Sequence, residues 1–74
     1  MSRAYVIAWK NPETGEDRYW SGDPDACGEF GFDEIGAAQL FPNEDQAVYA
    51  KESLDCEEEI KSACRAVPVT VTIG

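Results

Sequence analysis

The chain has no histidine, only six lysines and arginines, and a single methionine. Without an imidazole there is no Ser-His-Asp or Cys-His pair, no HExxH metal helix and no histidine acid–base chemistry. Neither GxGxxG nor GxxxxGK[ST] occurs, so the phosphate-cradling loops of dinucleotide and nucleoside-triphosphate enzymes are missing as well. Paired carboxylates alone do not make a glycosidase, which needs a walled sugar cleft that a chain of 74 residues does not readily build. We therefore expect a protein that is not an enzyme and uses no cofactor.

No apolar run reaches the roughly 18 residues that span a bilayer, and the first residues lack the basic-then-apolar pattern of a secretory leader. The expectation is a soluble, cytoplasmic protein. The three cysteines, Cys27, Cys56 and Cys64, form no CxxC pair. Cys56 and Cys64 lie about 12 Å apart along a continuous helix, too far for a disulfide. Packed free thiols are the simplest reading, and no zinc site is expected from a set without a close ligand pair.

What the chain has in excess is acid. Fifteen Asp and Glu residues give it a net charge of −9. Eight of them fall between Glu13 and Glu34 beside Arg18 alone, and seven fall between Glu44 and Glu59 beside Lys51 alone. A potential of that size repels nucleic acid and anionic membrane and attracts basic surfaces. Hydrophobic residues still make up 43 % of the chain, with three Phe, three Tyr and two Trp. Disordered chains combine charge with few such residues. A single folded domain over residues 1–74 is expected, burying about 60 % of its unfolded surface.

Ala4 to Lys10 is apolar on both alternating faces, as in an inner strand. Asn11-Pro12-Glu13-Thr14-Gly15 supplies turn residues, so a hairpin into a strand over about residues 16–21 follows. Tyr19 and Trp20 point to opposite faces of that strand, so at least one of them lies outside the main core. Gly22 to Gly36 reads as a long acidic loop, and Ala37 to Phe41 as a short third strand ended by Pro42. Phe30 and Phe32 suit either the core or an exposed anchor.

Asn43 with Gln46 three residues later suits a helix cap, and the predicted helix runs from about Glu44 to Cys64. At about 100° per residue, Ala47, Ala50, Leu54, Ile60 and Cys64 share one sector. Glu44, Asp45, Glu52, Asp55 and Glu59 share the opposite one. Glu57 falls inside the apolar sector, so either it pairs with Lys61 or the helix kinks or breaks near Asp55. Val67, Val69, Val71 and Ile73 alternate with threonines after Pro68 as a half-buried strand. The fold class is α+β: an antiparallel sheet of three to four strands with one helix, continuous or broken near Asp55, packed on one face.

The candidate site is the acid row Glu44, Asp45, Glu52, Asp55 and Glu59, extended by the loop acids Asp23, Asp25, Glu29, Asp33 and Glu34. On one helix Glu52, Asp55 and Glu59 rise by about 4.5 and 6 Å, spacings comparable to those of a phosphate strand. Like charges this close cost stability, which points to a use beyond folding. Residues 23–34 also place Asp23, Asp25, Gly28 and Glu34 at positions 1, 3, 6 and 12 of an EF-hand loop. Against that reading stand Cys27 at position 5, Pro24 at position 2 and the lack of flanking helices.

In size, charge and layout, with this acid row and acidic loop, the chain resembles small anti-CRISPR proteins of phages and mobile elements. Those proteins share no signature motif, so the resemblance transfers no residue role. It implies an inhibitor that mimics nucleic acid and occupies a basic DNA- or RNA-binding groove of a host defence complex, a Cascade-type CRISPR-Cas effector being one candidate. Such a protein acts in the host cytoplasm and contacts neither nucleic acid nor membrane directly. The alternatives are a calcium-binding module built on loop 23–34 and an acidic accessory protein of a phage or operon.

Overall fold

A computed structural model describes residues 2–23, 25–27 and 31–71. The segment apolar on both faces becomes β1 (Ser2–Lys10), with neighbours on both sides. Strand β2 (Asp17–Trp20) returns along it through a turn in which the Gly15 N–H donates to the Asn11 carbonyl and the Asn11 N–H to that of Glu16. β3 (Phe32–Asp33) pairs with β2, and β4 (Cys64–Val71) pairs with β1 along eight residues. The sheet is antiparallel throughout, in the order β3-β2-β1-β4.

Register assigns the faces. Trp9 stands opposite Cys64 and Arg18, Ile7 opposite Ala66, and Trp20 opposite Phe32, so all of these share one side. That side carries the core: Ile7, Trp9, Ala26, Phe32, Leu54 and Cys64 pack together, with Trp20, Phe41, Ala50, Cys56 and Ile60 against them. Trp9 and Phe32 meet edge to face, ring centres 6.2 Å apart. The other side carries Ala4, Val6 and Ala8 on β1, flanked by Val67 and Val69 on β4 and by Tyr19 on β2. Tyr19 and Trp20 are thus divided between the faces, as alternation demands.

Of the two expected forms of the helix, the one broken near Asp55 is observed. Asn43 caps α1 (Glu44–Glu52), its Oδ1 accepting the Gln46 N–H at 2.9 Å. The Ser53 hydroxyl then donates to the Tyr49 carbonyl at 2.9 Å, and the helix ends there. A second helix, α2 (Glu58–Ala63), starts after Glu57, whose extended backbone (φ −62°, ψ 150°) puts it outside the helix. The break answers the misfit at Glu57. A continuous helix would press that carboxylate into the apolar sector, whereas the break leaves it exposed and still delivers Leu54, Cys56 and Ile60 to the core.

Two further boundaries differ from the expectation. The third strand is Phe32–Asp33, inside the segment read as loop, and residues 37–41 form no strand. Instead a single 3₁₀ turn (Ile35–Ala37) leads to Gln39, whose N–H donates to the Trp20 carbonyl at 2.8 Å, and to Phe41, which exchanges two hydrogen bonds with Tyr5. β2 covers β1 only from Ala8 to Lys10, and Phe41 occupies the lane left beside Tyr5. The last strand begins at Cys64, directly out of α2, and runs through Pro68; the expected position of Ile73 lies outside the described residues.

Pro68 sits in β4 for a reason that Tyr5 supplies. Both backbone polar groups of Tyr5 turn toward Phe41, so the Tyr5–Pro68 pair is of the type without mutual hydrogen bonds. The donor that proline lacks would have pointed out of the sheet, to the free side of β4.

Candidate functional site

Each described acid of the expected site is exposed, but the acids do not form one row. Glu44, Asp45 and Glu52 are on α1, Asp55 is in the link and Glu59 is on α2. The 4.5 and 6 Å rises expected on a continuous helix therefore do not apply across Glu52, Asp55 and Glu59. The loop acids form a separate group. Asp33 stands opposite Tyr19, on the face turned away from the helices. The Asp23 Oδ1 accepts the Asp25 N–H at 2.9 Å, closing a local turn, and Glu34 precedes the 3₁₀ turn. Glu29 and Phe30 lie outside the described residues, as does Gly28 of the calcium-loop pattern, while Phe32 is buried in the core. β2 precedes that loop, β3 lies within it and a single 3₁₀ turn follows it, so no helix pair flanks it.

Among the described residues, none of these acids forms an ion pair with the protein's own bases. Among the described residues the ion pairs are Arg18 with Glu16 at 3.2 Å and Arg65 with Asp17 at 3.1 Å. Neither Glu16 nor Asp17 belongs to the expected site. Lys51 and Lys61 do approach the helix acids, lining an open hollow at the α1–α2 break together with Glu52, Glu58 and Ser62. The helical surface is therefore acidic with two cations set at its middle.

Tertiary structure also adds an aromatic feature. Trp20 and Phe41 stack in parallel, ring centres 6.0 Å apart and planes 7° from coplanar. The Trp20 indole N–H donates to the Asp23 carbonyl at 2.8 Å, which fixes the ring. Tyr49 on α1 is 75 % exposed, the most exposed large hydrophobic residue of the described chain. Sequence reasoning did not single it out. Its spacing was the available signal, because four residues after Asp45 and three before Glu52 place it on the acid side of the helix, away from Ala47 and Leu54.

Cys27, far in sequence from the other two thiols, meets one of them in space. Cys56 donates to the Ala26 carbonyl at 3.3 Å and meets the Cys27 thiol. Burial and the hydrogen bond with Cys27 push the Cys56 thiol up to about 12. Burial pushes Cys64, packed opposite Trp9, up to about 11. All three are free, and among the described residues no group of three or more Cys, Asp or Glu side chains has the geometry to hold a metal ion. Among the described residues, no helix is long and apolar enough to cross a membrane.

Comparison with protein-family models, with curated proteins and with solved structures found no significant match.

Proposed function

We propose that this protein is a non-enzymatic acidic inhibitor that takes the place of nucleic acid in a basic groove of a larger complex. A CRISPR-Cas effector of the Cascade type is the candidate named by the resemblance in size, charge and layout. One observation carries the reading: Glu44, Asp45, Glu52, Asp55 and Glu59 are all exposed, and none is in an ion pair with the protein's own bases. Lys51 and Lys61 sit among these acids without closing an ion pair to them. Here the carboxylates remain available to lysines and arginines of a partner, and a charge of −9 steers such a partner from a distance.

The split into two helices suits this role as well as a single rod does. The acids are spread over α1, the link and α2, and on none of the three is one of them ion-paired to a base of the protein. The test is competition. Immobilised protein should retain a nucleic-acid-binding complex from host lysate, and added duplex DNA should release it. Retention that DNA leaves unchanged would mean that the acids are not standing in for phosphates.

A further inference from the structure

Two open hollows adjoin along α1. One, of about 400 Å³, is lined by Phe41, Asp45, Gln46, Tyr49 and Ala50. The other, of about 280 Å³, is lined by Trp20, Tyr49, Ala50, Ser53 and Leu54. Sharing Tyr49 and Ala50, they form one trough lined by the stacked Trp20–Phe41 pair and by Tyr49. Asp45 stands at one end of it, one helical turn before Tyr49.

We propose that this trough binds an arginine side chain of a basic protein partner; the inference rests on the acidic-inhibitor reading above and names the contact through which it would act. Three properties select that occupant. The lining carries three aromatic rings, Trp20, Phe41 and Tyr49, whose π systems attract cations. A carboxylate stands at the rim in a molecule of net charge −9, so anionic and neutral occupants gain less than a cation does. The lining is mainly apolar, which favours the weakly hydrated, planar guanidinium over the strongly hydrated ammonium of lysine.

The stacked pair is also ready in advance. The Trp20 ring is held by its bond to Asp23 and the Phe41 ring by stacking on Trp20, so two of the three rings lose little freedom on binding. Tyr49, which packs against little, supplies the adjustable wall.

The test is titration of the whole protein with oligoarginine and oligolysine peptides of equal length, followed by calorimetry and by amide shifts of Tyr49 and Ala50. Oligoarginine should bind about fivefold more tightly than oligolysine, because the planar guanidinium stacks on rings and is less strongly hydrated than an ammonium. Its addition should move the Tyr49 and Ala50 signals. Tyr49→Gln, which removes the ring at an exposed position and keeps a good helix former, should abolish the preference while both peptides still bind. If the parent shows no preference, or Tyr49→Gln keeps it, the trough is not an arginine site although the acid surface stands. If neither peptide binds at low salt, the acid surface falls and the trough with it.

Discussion

Arg65 on β4 reaches across the central strand to Asp17 on β2, Nη2 to Oδ1 at 3.1 Å, on the sheet face away from both helices. Ala8 lies beneath, opposite Arg65 on one side and Tyr19 on the other, and is 1 % exposed. The pair links the two strands that flank β1, over a residue too small to fill its own space. With both side chains nearly half exposed, its electrostatic contribution is small. Arg65→Ala should cost no more than about 1 kcal/mol in denaturant titration, part of it from the aliphatic stem lost over Ala8. A larger loss would show that the pair organises the sheet.

Glycine substitutions should separate conformational strain from steric conflict. Gly15 has φ +76° with open space around its Cβ direction, so Gly15→Ala should cost about 1 kcal/mol of backbone strain. Gly31 has φ +103°, and a Cβ there would lie 2.5 Å from that of Ala26 and 2.8 Å from its Cα. Ala26 is buried in the core cluster and cannot move aside. Gly31→Ala should therefore be several-fold more damaging than Gly15→Ala, read as the difference in midpoint of thermal unfolding.

At the free side of β4, Pro68 removes a donor that would otherwise invite another strand. Pro68→Ala should lose about 0.5–1 kcal/mol through the freer unfolded chain. It should also self-associate more than the parent in sedimentation velocity. Equal association would mean that other features guard this edge.

Alkaline pH should weaken the fold through the thiols. Cys56 and Cys64 hold their protons to about 12 and about 11 in the folded protein, above the ordinary value of 9.0. The unfolded chain therefore loses those protons first, and the stability they supply is complete below pH 9 and declines as pH rises from there toward 11–12. Denaturant midpoints at pH 8 and pH 10 should fall for the parent and fall less for Cys56→Ser.

Association with a basic partner should depend on the helix acids and on salt. Replacing Glu52, Asp55 and Glu59 together by their amides should slow association about tenfold or more at low ionic strength, and the gap should narrow as salt is added. Equal rates would place the contact elsewhere.

Local pattern determined much of this molecule. β1 is apolar on both sides and could only be an inner strand; Asn11 to Gly15 could only turn; Asn43 with Gln46 marked a helix start that the structure places at the same residue. Charge alone marked the helix acids, because exposure of carboxylates needs no tertiary information.

What neighbours in sequence could not decide was settled by neighbours in space. Whether residues 32–33 or 37–41 pair with β2 depends on which segment finds an open lane: residues 32–33 take the side of β2, and the early end of β2 beside β1 leaves Phe41 the lane next to Tyr5. The approach of Cys27 to Cys56 and the stacking of Trp20 on Phe41 join residues 29 and 21 positions apart. Periodicity governs which way a side chain points on its own element; only packing governs what it meets there, because burial of apolar area is a property of the assembled layers.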